Sequence, residues 1–312
     1  MKRKLIFKNT LFLVRESYRE FMNDKVMKLS AALAYYTVFS LPPLLLVTIG
    51  LLGLFYGRDA IEGEIFMRLQ EYIGGEAALQ IQEVLKKSSA HHDNTVATIV
   101  GLFTLLLGAT GIFGEVQDSI NFIWGLKARP RKGWVKLIIN RLLSFSMILI
   151  LGFVLLVSLL LNAALEVFLG QLKTLFSERI VDSLYIINYA VSIVVIATLF
   201  ACIFKVLPDA KIRWKDVWVG ALVTTLLFMI GKTGISYYLQ NNTTITAYGA
   251  AGSLIVILLW VYYSAIILYF GAEFTQAYIR FRGRRIEPNK YAVWVERRIV
   301  EKESNISLRK TG

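Results

Sequence analysis

Residues Tyr248–Gly283 read YGAAGSLIVILLWVYYSAIILYFGAEFTQAYIRFRG, and within them Ala250 to Ala272 form 23 consecutive positions without a formal charge. A helix needs about 20 mostly apolar residues to cross the hydrocarbon core of a bilayer, so this stretch is a membrane span. Beyond it stand Glu273 and then Arg280, Arg282, Arg284 and Arg285. A basic flank of this kind is held on the cytoplasmic side during insertion. The span therefore orients the chain as well as anchoring it.

The rest of the chain has the same character. Hydrophobic residues make up 56% of the 312 positions and the mean hydropathy is +0.56, well above the apolar share of a soluble domain. The net charge of +13 would point to nucleic acid in a soluble protein, so its distribution decides its meaning. Cys202 is the single cysteine, which excludes an internal disulfide and a cysteine-based metal cluster.

Working outward, five further apolar segments are predicted to span: about 29–55, 95–116, 137–165, 184–204 and 217–239. The fold class is all-α, a polytopic membrane protein with six transmembrane helices. The first is expected to kink at Pro42-Pro43, where two backbone donors are missing and the rings crowd the preceding turn. Six spans place both termini on one side. The segments that would then lie inside (1–28, 117–141, 205–216 and 273–312) hold 28 of the 35 Lys and Arg, against 6 in the outer segments. This asymmetry puts both termini in the cytoplasm, and it accounts for the net charge without nucleic acid.

The polar segments are organised too. Phe7, Leu11, Val14, Tyr18 and Met22 recur at helical spacing while most of the early Lys and Arg lie elsewhere on the wheel, so 1–28 is read as an amphipathic helix on the inner membrane surface rather than a signal peptide. A basic solvated leader is the plainer alternative. Residues 57–93, the first outer loop, hold two polar amphipathic helices split at Gly74-Gly75. The domain reading is thus 1–28, a six-helix transmembrane domain over 29–283, and a basic cytoplasmic tail over 284–312.

The tract KVLPDAKIRWKDVWVGALVTTLLFMIGKTGISYYL, the last span, and SAALAYYTVFSLPPLLLV in the first together resemble the YihY/BrkB family of bacterial inner-membrane proteins. The matching residues are Leu207, Pro208 and Asp209; Tyr248 and Gly249; Trp260; Gly271, Ala272 and Glu273; and, in the middle, Asn121, Trp124, Gly125 and Arg131. The resemblance covers roughly residues 20 to 283. It implies a six-helix protein of the bacterial inner membrane, in a family once labelled ribonuclease BN and also linked to virulence and to the movement of lipids. It supplies no catalytic residue.

Enzyme chemistry finds little to work with. A metal-dependent nuclease needs clustered His and carboxylates, and the two histidines, His91 and His92, are adjacent and fall in the outer loop, away from RNA. Gly231-Lys232-Thr233 imitates the end of a P-loop, but Leu226 stands where the earlier glycine is required and the setting is a span. No metal, no cofactor and no enzymatic activity are expected, and the expected partners are membrane lipids.

Polar groups inside or beside the hydrocarbon are expensive and therefore informative. Glu115, Asp118, Arg141 and Glu273 all fall near the cytoplasmic boundary and are expected to form one network, either as a clamp on helix ends or as a substrate or proton site. Lys232 lies well inside the fifth span, roughly 10 Å below its outer end. Insertion there costs somewhat less than the about 2.5–3.5 kcal/mol of a lysine at a helix centre, because the stem can snorkel outward. The functional reading is that Lys232 meets an anionic group, with Thr233 and Tyr237 as hydroxyl donors nearby. Two function classes follow: a transporter or lipid-translocating protein for an anionic substrate, with a polar cavity reaching the midplane, or a structural membrane protein with polar groups paired near the helix ends.

Overall fold

The computed structural model describes residues 2–40, 111–129, 178–241 and 250–296, with residues 63, 65–67, 70, 78–79, 82 and 83 between them. Six long helical stretches organise these residues: α1 (Lys2–Asn23), α2 (26–40), α3 (111–123), α4 (Glu178–Val206), α5 (Trp214–Asn241) and α6 (Ala250–Phe281). The described positions between Gly63 and Glu83 are helical as well. Pro42, Pro43 and the whole third predicted span lie outside the described residues.

Among the described residues, three helices are long and apolar enough to cross a membrane, through the windows Tyr189–Val206, Trp214–Ile235 and Leu254–Phe281. They are the fourth, fifth and sixth predicted spans. Each leaves large apolar side chains uncovered: on α5, Leu222, Leu226 and Ile230 recur every four residues and Ile230 is 71% exposed. Such a stripe is unfavourable in water by about 25 cal/mol per Å², whereas lipid satisfies it.

Small residues set the packing of α5 on α6. Gly220 lies against Thr275, and Gly271 against Thr224, so each helix offers a glycine to the other's threonine. Each threonine hydroxyl donates back along its own helix, Thr224 to the Gly220 carbonyl at 2.8 Å and Thr275 to the Gly271 carbonyl at 2.7 Å. The polar atom is thereby satisfied without water, and the backbones approach closely, as membrane helices with small-xxx-small spacing do. Further along, Gly231 lies beneath the Tyr263 ring. The rising and falling numbers show an antiparallel pair.

α4 packs against both α5 and α6: Phe200 meets Phe228 edge to face with ring centroids 5.8 Å apart, Phe228 meets Trp260 at 6.1 Å, and Phe204 lies against Gly271. α1 lies against α6 through Leu13 and Phe21, with the Phe21 and Phe270 rings 6.0 Å apart. Leu11, Val14, Tyr18 and Met22, the apolar stripe read from the sequence, face away and are exposed. α1 thus has two apolar faces, one on protein and one uncovered.

Two glycines stop helices where the chain must turn. Gly283 has φ +68°, and the bonds Gly283 N to Arg280 O and Arg284 N to Ile279 O close the end of α6 in the pattern of a Schellman cap. Gly125, with φ +67°, turns the chain after α3, its N–H donating to the Phe122 carbonyl at 3.1 Å. The chain leaving α6 then folds back on the loops: β4 (Ala292–Trp294) pairs antiparallel with β1 (Leu126–Ala128), and β3 (Glu287–Pro288) with β2 (Ala210–Lys211). The start of the basic tail, to Glu296, is therefore built into the end of the helical domain.

Candidate functional site

The described parts of the segments assigned to one membrane face by charge meet at one end of the structure. Pro208 follows α4 and cannot continue it, and the turn drives Asp209 inward until it is 4% exposed. There its carboxylate accepts from Gln117 Nε2 at 3.2 Å and from Asn121 Nδ2 at 3.0 Å. The Asn121 Oδ1 in turn accepts the Asp209 backbone N–H at 2.9 Å. Gln117 and Asn121 are one helical turn apart on α3, hence on one face. A buried carboxylate is tolerable only when its lone pairs are engaged, and here two side-chain amides engage it. The Asp209 carbonyl also accepts from Asn289 N at 2.9 Å, tying the folded-back tail to the same turn.

A second polar layer joins α3 to α6. Trp124 Nε1 donates to the Ala272 carbonyl at 3.0 Å, and Gln276 Nε2 to the Ile123 carbonyl at 3.1 Å. Between these two anchors stands Glu273, 1% exposed, with Tyr269, fully buried, one turn earlier on the same face of α6. The Tyr269 hydroxyl lies near Ser119 and Glu115 of α3, without a hydrogen bond of ordinary geometry. Ser119 Oγ donates to Glu115 Oε1 at a long 3.4 Å. Glu115 and Glu273 thus reach the same α3–α6 interface. Asp118 is exposed, away from the face that holds Gln117 and Asn121, because neighbouring residues on a helix point about 100° apart. Arg141 lies outside the described residues.

At the outermost edge of this end, Asp216 in the first turn of α5 takes both guanidinium nitrogens of Arg284 at 2.7 Å. The carboxylate is buried and sits at a helix N-terminus, where negative charge is favoured. Around the pair are two adjoining cavities of about 360 and 550 Å³, both lined by Arg213, Asp216 and Arg284.

Lys232 occupies a different level. It is helical and half-buried on α5, nine residues before the helix ends at Asn241, or roughly 13 Å from that end at 1.5 Å per residue. Thr233 is exposed, and its hydroxyl donates to the Met229 carbonyl at 3.1 Å. Tyr237 continues the helix, with a side chain outside those described. Among the described residues, no group of three or more His, Cys, Asp or Glu is arranged to hold a metal.

Sequence reasoning placed Asn121 and Asp209 only in separate motifs and missed their partnership. The available signal was the four-residue spacing of Gln117 and Asn121, which marks a polar stripe on an otherwise apolar helix.

Comparison with known proteins identifies a family and several relatives. The profile of the family described as Virulence factor BrkB matches residues 17–292, which takes in the turn at Asp209, the Asp216–Arg284 pair and β3. Among curated relatives, a UPF0761 membrane protein of Xanthomonas campestris pv. campestris (strain B100) is 29% identical over 274 residues, covering 85% of this chain and 60% of the relative. UPF0761 membrane proteins of Xanthomonas axonopodis pv. citri and Xanthomonas oryzae pv. oryzae match with the same identity and coverage. The chain therefore spans about 60% of the length of these relatives. No solved structure matches.

Proposed function

We propose a function for this chain from one premise: it belongs to the Virulence factor BrkB family. It is a multi-pass protein of the bacterial inner membrane that moves an anionic substrate, of lipid type, without enzymatic chemistry or a cofactor. The observation that carries this reading is Lys232, a cation inside the 22-residue apolar window Trp214–Ile235 of an unbroken helix. A lysine at such a level is costly to insert and is retained in membrane proteins chiefly where it meets an anion or lines a pathway. Glu115, Glu273 and Arg141 are assigned to one buried network at the inner end of that pathway.

The test is flux. Purified protein is reconstituted into vesicles containing fluorescent phosphatidylglycerol, and dithionite is added outside. Scrambling is expected to extend quenching beyond the outer leaflet. Lys232→Met is expected to abolish that excess at unchanged protein abundance, and Lys232→Arg to keep part of it. Full activity of the Met variant would make the lysine a snorkelling bystander and remove the argument for an anionic substrate.

A specific observation favours the second reading, a structural protein. The polar side chains of Asp209, Asp216, Trp124 and Gln276 are paired near the helix ends rather than at mid-membrane. Vesicles that quench no further than the outer leaflet with native protein would favour it.

Orientation is tested separately. In a Cys202→Ser background, single cysteines replacing Asn242 or Ser304 are exposed to an impermeant thiol reagent on intact cells. Labelling at 242 and none at 304 is expected from the charge asymmetry, and the reverse pattern would invert the topology.

A further inference from the structure

The chain's cations are spread along its inner loops, but the fold gathers six of them into one cleft. The two adjoining cavities at the start of α5 and the end of α6 are lined by Lys211, Arg213, Lys215, Arg282, Arg284 and Arg285. Against these stand two carboxylates, Asp216 and Glu287, and Asp216 is engaged on both oxygens by Arg284. Among the described residues no carboxylate pairs with Arg213, Lys215 or Arg282. Arg282 is instead held over the Tyr278 ring, 5.1 Å from its centroid, which presents a planar fork suited to phosphate.

The level of the cleft identifies what reaches it. The apolar windows of α5 and α6 begin at Trp214 and end at Phe281, so five of the lining cations stand immediately outside both and Lys215 is the second residue of the α5 window. Trp214 and Phe281 are themselves about half exposed at this edge, and aromatic side chains with basic neighbours mark the headgroup level of a bilayer. A soluble polyanion would find apolar helix faces beside the charges, whereas a phospholipid places phosphate on the cations and its chains along those faces. We propose that this cleft binds the phosphate of an anionic phospholipid of the cytoplasmic leaflet. The site is at the opposite end of α5 from Lys232 and requires no passage of lipid, so it goes beyond the transport reading.

The experiment uses the full chain in an uncharged detergent, with thermal unfolding followed on addition of phosphatidylglycerol, phosphatidylcholine or inorganic phosphate. Phosphatidylglycerol is expected to raise Tm while the other two do not. Arg213→Gln with Arg282→Gln is expected to keep the lipid-free Tm but to need roughly 25-fold more phosphatidylglycerol, since each cation near an anionic headgroup is worth about fivefold. Lys127→Gln with Arg129→Gln removes the same charge outside the cleft and is expected to leave the response unchanged. An equal shift with phosphatidylcholine, an equal response of the cleft variant, or an equal loss in the control variant would each overturn the proposal. So would a shift produced by inorganic phosphate alone, which would make the ligand a free anion. If the cleft variant has a lowered lipid-free Tm, Lys215→Gln is compared with native protein by native mass spectrometry. Fewer phosphatidylglycerol adducts support the site and equal numbers overturn it. The readout here is binding at Arg213, Lys215 and Arg282 in detergent, not flux in vesicles, so failure of the transport reading and failure of this one are separable.

Discussion

Replacing Gly271 with leucine is expected to leave no folded protein to purify. A Cβ at this position would sit 1.9 Å from Thr224 Oγ1 and 3.0 Å from both Thr224 Cβ and Phe204 Cζ. Thr224 is fully buried and its hydroxyl is bonded to the Gly220 carbonyl, so its branched side chain has no free space to rotate into. The whole α5–α6 contact would have to open, and α4 with it, since Phe204 belongs to α4. Gly271→Ala adds one carbon and is expected to cost about 1–3 kcal/mol, the range for overpacking a tight core. Thr224→Ala removes the obstructing hydroxyl. The pair Gly271→Ala with Thr224→Ala is therefore expected to melt above Gly271→Ala alone, with a coupling of about 0.5–3 kcal/mol of opposite sign to the clash. Thermal unfolding in detergent of the four proteins of this cycle checks it. Additive effects would mean that the two residues do not meet as described.

The helices were readable because one number, the length of an uncharged run, carries most of the information about a span. Ala250 to Ala272 needs no context to be recognised, and α4 yields to the same test over residues 183–204, whereas in α5 Lys232 interrupts the run and the mean hydropathy has to carry the reading. What lies between helices resisted for a different reason. The bonds from Gln117 and Asn121 to Asp209 join residues 92 and 88 positions apart, and a polar pair at helical spacing shows which face is polar, not what faces it. Glu115 and Asp118 both read as acids at the end of a span, yet one is half-buried beside Ser119 and the other is exposed. Only the rotation of α3 against α6 separates them. The tail after Gly283 reads as a basic extension because its strands, Glu287–Pro288 and Ala292–Trp294, are too short to show the alternation by which a strand is recognised. The cleft was visible only as charge. Residues 211–215 and 282–285 are distant in sequence, and the Asp216–Arg284 pair brings them side by side.

Asp209→Ala is expected to lower stability by roughly 3–6 kcal/mol, because two hydrogen bonds to a charged group, at about 1.5–3 kcal/mol each, are lost together. The loss is large because the partners stay buried: Gln117 and Asn121 are 4% and 3% exposed, and their amide donors would have no water to turn to. Asp209→Asn keeps the shape and one acceptor but points an amide N–H₂ at one of two amide donors. It is expected to cost less, about 1–3 kcal/mol for one buried donor left unsatisfied. The order of melting temperatures, native above Asn above Ala, tests the arrangement, and an alanine variant within about 0.5 kcal/mol of native, the scatter expected of an ordinary surface substitution, would show that the knot contributes no strength. The same pair of variants separates clamp from site. If the knot only holds the α4–α5 turn to α3, lipid scrambling by Asp209→Asn falls no further than its folded fraction. If substrate or protons pass this carboxylate, the Asn variant stays folded below its melting temperature and scrambles nothing, because the charge is gone while the geometry that surrounds it remains.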